Sequence, residues 1–600
     1  LHRVTPEGYL VEGRWEALMA CTGHETQASG FVSVERRDAA LALPPTTRFP
    51  ALTAAASLAG IAIRPRAPTR IGARMGRPEK ADVRAMNPPV HTLFPVGHEG
   101  GPQRSVDEAA SKGSVRVKVA LRKCPSCGRE AHLVRCTCGS RTEPTGKAPA
   151  ERDVHIREEY ALALQRLKGV RAPKKLKGVQ GLVSESRLPE PLEKGILRAN
   201  RDLWVFKDGT IRFDATDAPL THFRPDEVGT SVARLHELGY ARDTKGAPLE
   251  RTDQVVELRV QDIVLPAAAG RYFVQTALFL DDLLERFYGL PPFYQVTEPR
   301  ELVGHLVAGL APHTSGAVLG RIIGFTKANV AYAHPFYHTA KRRNADGDED
   351  AFMLLLDAFL NFSRTFIPDR RGGLMDLPLV LGTRIDPTEI DKEALNLDVG
   401  WRYPLEFYRA TETHPPAKNL AAKMDLVAHR VGTPAQFEGF GFTVESRSIH
   451  EGPTDSRYKT LGTMPEKMAA QLALADRIRA VDAADVAARV ISHHLLPDLI
   501  GNLKAFAKQS VRCTKCNSKY RRIPLGGRCT RLEKNGRDLC GNTLTLTVHE
   551  ASVRKYMDLA IKLSETYAIP EYTKQHIRLA QKFIDDTFRM RDLKLAAFFY

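Results

Sequence analysis

Residues 301–336 constrain the fold most, because Gly, Pro and Thr interrupt every short apolar run in the stretch ELVGHLVAGLAPHTSGAVLGRIIGFTKANVAYAHPF. A helix in a bundle needs a continuous apolar stripe, and Gly and Pro in its interior destabilise it. Short strands tolerate such interruptions where the chain bends or where a neighbouring group approaches closely. The stretch therefore favours a small, closed β-barrel over a helical bundle.

The segment RRNADGDEDAF (342–352) follows, and it carries Asp346, Asp348 and Asp350 at alternate positions. Alternate residues of an extended chain point to one side, where two or three carboxylates can hold a hard divalent cation such as Mg²⁺. Mg²⁺ held in this way completes its shell with waters and substrate phosphates, as phosphoryl and nucleotidyl transfer require.

Three other interpretations of the acidic segment compete with a Mg²⁺ site. A Ca²⁺ loop of the EF-hand type is excluded, because it needs Gly at the sixth position, where counting from Asp346 gives Ala351. An acidic helix cap remains open, because residues 351–367 are apolar on nearly every side and predict a buried helix whose N-terminus would favour Asp348 and Asp350. An acidic surface is disfavoured by the apolar run that follows. The motif alone does not choose between the cap and the metal site.

The chain is basic, with 87 Lys and Arg against 70 Asp and Glu and a formal net charge of +17 over 600 residues. This charge attracts polyanions and makes nucleic acid the leading partner, with an ordinary basic protein as the alternative. Lys341, Arg342 and Arg343 stand directly before the aspartates, and we expect them to contact a phosphate backbone or a triphosphate.

The sequence contains no run of about 18 or more consecutive apolar residues and no charged-then-apolar leader. We therefore expect a cytoplasmic, nucleoid-associated protein with no membrane partner. The first residue is Leu1 rather than Met, and residues 1–56 show no clear start, so we expect the C-terminal part of a longer chain. The length predicts about three to five domains.

Eight of the nine cysteines fall into two clusters, and Cys21 stands alone as an expected core residue. The first cluster consists of Cys124, Cys127, Cys136 and Cys138, and the second of Cys513, Cys516, Cys529 and Cys540. This pattern indicates metal sites rather than a disulfide framework. Four thiolates select Zn²⁺ and leave no open position, so we expect two structural zinc sites; buried free thiols are the alternative.

Several further segments predict individual elements. The alternation of Val with polar residues over 115–119 predicts a half-buried strand before the first cysteine cluster. Asp208-Gly209 lies between two apolar runs and predicts a hairpin, because this dipeptide tolerates positive φ. RYFVQTALFL (271–280) predicts β structure. Helices are predicted near 157–167 and over 466–508 and 551–590.

Long segments of the chain resemble one family. The run from 309 to 381, GLAPHTSGAVLGRIIGFTKANVAYAHPFYHTAKRRNADGDEDAFMLLLDAFLNFSRTFIPDRRGGLMDLPLVL, resembles the active-site region of the large subunit of archaeal family D DNA polymerase. TRIGARMGRPEKADVRAMNPPVHTLFPVG, PEPLEKGILRAN, FKDGTIRFDATDAPLTHFRP and CTKCNSKYRRIPLGGRC resemble the same subunit in the family's order.

The resemblance implies a multidomain protein of mixed α and β structure. Its catalytic core would consist of two double-psi β-barrels, a fold shared with multisubunit RNA polymerases, with zinc-ribbon modules and peripheral helices around it. The implied order is 1–122, the first part of the core with segments of the first barrel; 123–140, a zinc-binding module; 141–300, a linker and α/β accessory region; 301–464, the second barrel with the aspartates; 465–510, a helical region; 511–549, a zinc ribbon; and 550–600, C-terminal helices and a clamp-binding tail.

The resemblance also implies the chemistry, which is Mg²⁺-dependent transfer of deoxynucleotides from triphosphates to the 3′ hydroxyl of a primer on template DNA. Asp346 and Asp348 match the family's magnesium ligands, and Asn344 would orient the site. The alternating aspartates also resemble the metal loop of RNA polymerases, which makes Asp350 a candidate third catalytic carboxylate.

The resemblance adds a basic loop from the other barrel, with Arg74, Arg77 and Lys80 expected to contact primer or triphosphate. His334 and His338 precede the aspartates, and we expect them to pack or to contact phosphate rather than to bind metal.

The chain ends in RDLKLAAFFY, which partly matches the motif that binds the sliding clamp. Leu595, Phe598 and Phe599 occupy its hydrophobic positions, but Asp592 replaces its glutamine. The alternative is a terminal helix that packs on this protein or on a partner subunit.

The resemblance implies a small, phosphoesterase-like partner subunit that supplies proofreading. Two other functions stay open: an RNA-synthesising relative with the same barrels, and a non-catalytic, zinc-bearing scaffold that binds DNA.

Overall fold

The computed structural model is a mixed α/β protein that divides into a larger unit, Arg74–Pro404 with Ala417–Ala470, and a smaller unit, Leu1–Ala73 with Leu405–Pro416 and Gln471–Tyr600. The structure describes residues 56, 86–342, 348–369, 372–410, 413, 415–443, 448–450, 454, 460–478, 481–514, 518–531 and 539–588, and the strands within 3–33. Arg74, Arg77 and Lys80 lie outside the described residues, as does most of the predicted first barrel. The predicted domain boundaries stay a prediction.

Short antiparallel strand pairs precede the central sheet. They are β1 (Arg3–Thr5) with β2 (Gly8–Leu10), β3 (His24–Gln27) with β4 (Gly30–Ser33), β5 (Val115–Val119) with β9 (Ala150–Val154), and β6 (Arg122–Lys123) between β7 (Glu130–Ala131) and β8 (Glu143–Pro144). In β5 the three valines are buried and the residues between them are exposed. The strand predicted over 115–119 is confirmed.

A closed barrel forms the centre of the larger unit. Its chain segment contains β10 (Phe213–Pro219), β11 (His222–Phe223), β12 (Val256–Glu257), β13 (Asp262–Pro266), β14 (Leu306–Leu310), β15 (Gly316–Thr326), β16 (Val330–Ala333), β17 (Glu349–Leu354) and β18 (Val380–Gly382). Six strands follow the order β13-β16-β10-β17-β14-β15, and β13 also pairs with β15, which closes the ring. The pairs β10–β16 and β13–β15 are parallel, and the other four are antiparallel. The predicted small, closed barrel is confirmed.

The glycines that interrupt the apolar runs make room for one large side chain. Tyr337 is fully buried, and its hydroxyl donates a hydrogen bond to the Val318 carbonyl at 3.0 Å. A Cβ atom on Gly309 would lie 2.4 Å from the Tyr337 hydroxyl oxygen, and one on Gly320 would lie 3.0 Å from it. Glycine in β14 and β15 is therefore a packing requirement of the barrel.

Two predictions of secondary structure are wrong. The helix predicted over 351–367 begins only at Leu355 and ends at Asn361, because residues 349–354 form β17. All six residues of β17 are buried between β10 and β14, and a strand buried on both faces has the same continuous apolar sequence as a buried helix. Conversely, 271–280 belongs to the helix Ala267–Asp282, which buries Phe273, Ala277 and Leu280 along one face.

Each unit contains further helices. In the larger unit they are Val106–Ser111, Ile156–Arg166, Leu192–Asn200, Pro225–Val228, Val232–Glu237, Pro335–Ala340 and Lys392–Leu395, with a π-helical turn at Leu283–Tyr288 and 3₁₀ turns at Pro299–Leu302, Arg364–Phe366, Ala417–Asn419, Ala421–Lys423, Val427–His429 and Pro434–Gln436. The helix Met464–Arg477 contains residues of both units. The helices of the smaller unit are Leu405–Ala410, Ala483–Val490, Leu496–Lys508, Glu550–Arg554, Met557–Thr566 and Glu571–Phe588, with a π-helical turn at Ile491–Leu495.

The helices predicted near 157–167 and over 466–508 and 551–590 are confirmed, with short breaks in the last two. Among the helices of the described residues, none combines the length and the apolar character that a membrane crossing needs.

The predicted turn at Asp208-Gly209 is present, although only the chain after it becomes a strand, β10. Gly209 has φ +97°, a conformation that glycine adopts without strain, and the Phe206 N–H donates to the Thr210 carbonyl at 2.8 Å across the turn. A Cβ atom on Gly209 would lie 2.3 Å from the Asn361 carbonyl oxygen. The turn therefore packs directly against the helix that follows β17.

A fully buried ion pair joins this turn to the helix Leu192–Asn200. The Arg198 guanidinium donates to both carboxylate oxygens of Glu190, at 2.9 and 2.8 Å, and to the carbonyls of His91 and Gly209. Neither side chain is exposed by more than 1%. Removal of one partner would leave the other charged and unpaired in the interior.

We expect Arg198→Met to lower the free energy of unfolding by about 3–5 kcal/mol, because Glu190 would remain buried without its partner. The double variant Arg198→Met/Glu190→Gln should lose much less stability, because neither charge of the pair remains in the interior. Denaturant titration measures both. Arg116→Met, which breaks an exposed pair with Asp153, is the control and should cost at most about 1 kcal/mol. Equal losses in the single and double variants would contradict this explanation.

Candidate active site

The acidic segment connects the helix Pro335–Ala340 to β17 at the edge of the barrel. Asp348 is half-buried at the point where β17 begins, and its carbonyl accepts a hydrogen bond from the Asp217 N–H in β10 at 2.9 Å. Arg342 is exposed at the other end of the segment, with φ +60°. Arg343, Asn344 and Asp346 lie outside the described residues.

The acidic-cap interpretation is wrong for Asp348, Glu349 and Asp350, because β17 begins at Glu349 and the helix begins only at Leu355. Glu349 and Asp350 are 3% and 1% exposed, so they do not form a solvated acidic surface either. Glu349 accepts a hydrogen bond from the Thr216 hydroxyl in β10 at 3.0 Å. The alternatives that require solvated carboxylates fail for these two residues.

Asp350 contacts the ammonium of Lys341. Lys341 is itself buried, and its Nζ lies 3.3 Å from Nδ1 of His338. Nδ1 of His338 also lies 4.0 Å from the Asp217 carboxylate and 3.8 Å from that of Asp350. The structure therefore brings four polar side chains together beneath the acidic segment, and it places the Lys341 side chain inside the protein rather than at its surface.

Both histidines near the aspartates are held in the neutral form. His338 Nε2 lies 3.0 Å from the Ala218 carbonyl, to which it donates, and burial together with the charge of Lys341 lowers the pKa of His338 well below its ordinary value. His334 Nδ1 accepts a hydrogen bond from the Phe336 N–H at 3.1 Å. Burial and the neighbouring His222 lower the pKa of His334 to about 3. Both side chains pack in the interior.

The first cysteine cluster is assembled as the spacing predicts. The sulfur atoms of Cys124, Cys127, Cys136 and Cys138 all lie within 4.8 Å of one another. The one-residue spacing in the second half is accommodated by a tight turn, in which the Gly139 N–H donates to the Cys136 carbonyl at 2.9 Å. The Ser140 N–H and the Cys124 thiol lower the pKa of Cys138 to about 6, which favours the thiolate that a metal requires.

The second cluster brings Cys513, Cys529 and Cys540 within 4.8 Å of one another. Cys513 ends β19 (Val511–Cys513), which lies between β20 (Lys519–Tyr520) and β21 (Leu544–Thr545). Cys516 lies outside the described residues, as do Cys21 and the tail residues Asp592, Leu595, Phe598 and Phe599.

The sequence analysis missed Asp217. This residue lies 129 positions before Asp346 and joins the site only because β10 pairs with β17. The signal available was the segment FKDGTIRFDATDAPLTHFRP, which contains Asp217 and contributes to the family resemblance, but it contains three aspartates that the sequence does not rank.

Comparison with known proteins identifies the family. The profile described as DNA polymerase II large subunit DP2, catalytic domain, matches residues 169–467, and that of the central domain of the same subunit matches residues 1–157. The chain belongs to the family of DNA polymerase II large subunits. Its relatives of that name include a protein of Methanocella arvoryzae, 51% identical over 564 residues, and one of Archaeoglobus fulgidus, 46% identical over 617 residues.

The alignments cover 89% and 98% of this chain but 49% and 52% of the two relatives. A third relative, from Pyrococcus furiosus, is 48% identical over 558 residues, which are 88% of this chain and 44% of that protein. The chain spans about half the length of the curated relatives that it matches.

We expect the stability of the larger unit to fall as the pH falls below about 6.5, partly through His334. The unfolded chain binds a proton at this histidine below its ordinary pKa of 6.5, whereas the folded chain stays neutral down to a pKa of about 3. One such group lowers the free energy of unfolding by about 1.4 kcal/mol per pH unit in this range. His334→Asn can still accept the hydrogen bond from the Phe336 N–H. In denaturant titrations between pH 7 and 5, its free energy of unfolding should depend less steeply on pH. Equal slopes in wild type and variant would contradict this.

Proposed function

We propose that this chain carries the polymerase core of a DNA-directed DNA polymerase of archaeal DNA replication. The enzyme transfers deoxynucleotides from triphosphates to the 3′ hydroxyl of a primer on template DNA. The observation that supports this most directly is the place of the acidic segment. In a chain of this family, the acidic segment joins a closed six-stranded barrel at Asp348. Asp346, the other predicted Mg²⁺ ligand, lies two residues earlier in the sequence.

In this proposal Asp346 and Asp348 hold Mg²⁺, and Asn344 orients the site. The donor set fits the metal, because carboxylate oxygens are the hard ligands that Mg²⁺ prefers, and Asp348 lies half-buried at the edge of the barrel rather than in its interior. When bound, the metal neutralises charge that develops on the triphosphate. The protein contributes mainly position, and Asp348 is placed directly before the buried strand β17.

Basic residues complete the proposed site. Arg342 is exposed beside the acidic segment and can contact a phosphate group. Arg343, Arg74, Arg77 and Lys80 are proposed to contact primer or triphosphate. Lys341 was also predicted to contact phosphate, but it is buried against Asp350. A positioning role is proposed for both residues below.

We further propose that the closed barrel is one of two double-psi β-barrels. Its six strands and its mixture of two parallel and four antiparallel pairs support this. The predicted domain boundaries are retained as part of the proposal, as is a cytoplasmic, nucleoid-associated location.

The partners proposed are a small proofreading subunit and the sliding clamp. The relatives carry the name large subunit, which supports the first. The second rests on Leu595, Phe598 and Phe599 in the tail. Exonuclease activity is proposed to belong to the small subunit.

Both cysteine clusters are proposed to bind structural Zn²⁺. In the first cluster, the four sulfur atoms converge, as a structural zinc site requires. In the second cluster, three sulfur atoms converge, and Cys516 is proposed as the fourth ligand.

We expect Asp346→Ala and Asp348→Ala to lower Mg²⁺-dependent primer extension by about 100- to 1,000-fold or more while primer–template binding persists, because only transition-state stabilisation is lost. The assay uses the full-length large subunit that contains this chain, combined with its small subunit. Asp386→Ala is the matched control, since Asp386 is an exposed carboxylate that accepts hydrogen bonds only within its own turn.

Normal extension by both aspartate variants would refute the proposed active site. Preferential use of ribonucleoside triphosphates would favour an RNA-synthesising relative instead. DNA binding without any extension, in wild type and variants alike, would favour a non-catalytic scaffold.

We expect Cys127→Ser to remove about one zinc atom per chain and to lower the unfolding temperature, because the binding energy of a structural zinc contributes to folding. Elemental analysis of the purified protein and thermal unfolding measure the two effects. Cys21→Ser, outside both clusters, should leave the zinc content unchanged. A wild-type protein without zinc would refute the proposal for both clusters.

A further inference from the structure

One side-chain contact joins the two ends of the acidic segment. Lys341 directly follows the helix Pro335–Ala340, and its ammonium contacts the carboxylate of Asp350 in β17. The Asp217 N–H in β10 donates to the Asp348 carbonyl at 2.9 Å, which fixes the later end to the barrel. These two ends, here called the base of the acidic loop, are therefore joined by one ion pair and anchored by one backbone hydrogen bond.

The side-chain contact is shielded from water on all sides. Lys341 and Asp350 expose no more than 1% of their side chains, and His338 exposes none. The Lys341 ammonium lies 5.1 Å from the centre of the Tyr337 ring and 5.4 Å from that of Phe352. Separation of the pair would leave two buried charges unpaired, so the two ends of the loop have one strongly preferred spacing.

The same cluster offers three ligand atoms of a metal site, from Asp217, His338 and Asp350, within 4.8 Å of one another. The Lys341 ammonium already lies among them, in contact with Asp350 and 3.3 Å from Nδ1 of His338. With His338 neutral, Lys341 supplies the positive charge that faces the carboxylates of Asp217 and Asp350. The protein's own cation therefore occupies the position that a metal ion would take.

We propose that Lys341 and Asp350, supported by His338 and Asp217, are positioning residues that fix the base of the acidic loop and so hold Asp346 and Asp348 in place. This inference rests on the proposed polymerase function. It assigns Lys341 no contact with triphosphate, and it assigns Asp350 no contact with Mg²⁺. A short loop with a fixed base has fewer conformations, so less order must be gained when the metal binds.

The test measures metal binding directly, by Mn²⁺ titration of the full-length large subunit followed by electron paramagnetic resonance, with Asp346→Ala/Asp348→Ala as the blank. Lys341→Met keeps the length of the side chain and removes its charge. We expect it to weaken Mn²⁺ binding by about tenfold or more, in the range typical of residues that support metal ligands. If Asp350 were a direct ligand, loss of the competing ammonium would leave Mn²⁺ binding unchanged or tighter, and that result would overturn the proposal.

A second variant separates positioning from folding. Lys341→Met/Asp350→Asn/Asp217→Asn removes the buried ammonium together with both carboxylates that face it, so we expect it to unfold near the wild-type temperature and to bind primer–template DNA normally. Its Mn²⁺ binding and its primer extension should still fall by about tenfold or more. Wild-type Mn²⁺ affinity in this variant would overturn the proposal.

Tyr337→Phe is the matched control. It removes a buried hydrogen bond from the same helix, to the Val318 carbonyl, without altering the base of the loop. Its Mn²⁺ affinity should equal that of wild type, and a tenfold loss would overturn the proposal by assigning the effect to general packing. Unaltered Mn²⁺ binding in Asp348→Ala would instead refute the proposed metal site itself, whatever the Lys341 variants do.

Discussion

The pairing of β13 with both β15 and β16 closes the barrel, and the candidate site depends on that closure. In a closed ring each strand has two fixed neighbours, so β17 cannot shift without breaking hydrogen bonds on both sides. Its register with β10 brings the Asp217 backbone to Asp348. The helix that carries His338, with Lys341 directly after it, lies in the connection between β16 and β17. The polar cluster is thus a product of strand order rather than of neighbouring sequence.

The closure was accessible from the sequence, because Gly-broken apolar runs exclude long helices. The strand conformation of β17 was not accessible from the sequence. Its residues, EDAFML, are compatible with a buried helix and with a buried strand, and only the pairing with β10 and β14 decides between the two. The cysteine clusters were predicted well because ligand spacing is a local property. The burial of Lys341 could not be predicted, because it depends on a contact with a strand that the sequence assigned to a helix, and a Lys-Arg-Arg run ordinarily indicates a solvated surface.

The helix Leu192–Asn200 links the first cysteine cluster to the barrel region. Arg166 donates to the carbonyls of Cys136 and Thr137 and to the carboxylate of Glu193 on this helix. The next residue, Lys194, donates to the Asn361 side chain in the helix that follows β17, at 2.8 Å. The cysteine cluster held in this way supports the position of the helix, and the helix in turn supports the segment that follows β17. The zinc proposed for this cluster would act on the core through packing.

The Tyr337 side chain fills the space between Gly309 and Gly320, so this part of the barrel interior is packed by protein atoms. The same packing has a consequence for how the sequence can change. A methyl group at Gly309 requires the phenol oxygen to move or to be lost, whereas a smaller residue at position 337 leaves a void that only larger residues on β14 and β15 can fill. The three positions are therefore expected to vary together among homologous barrels, and a substitution tolerated at one of them depends on which residues occupy the other two.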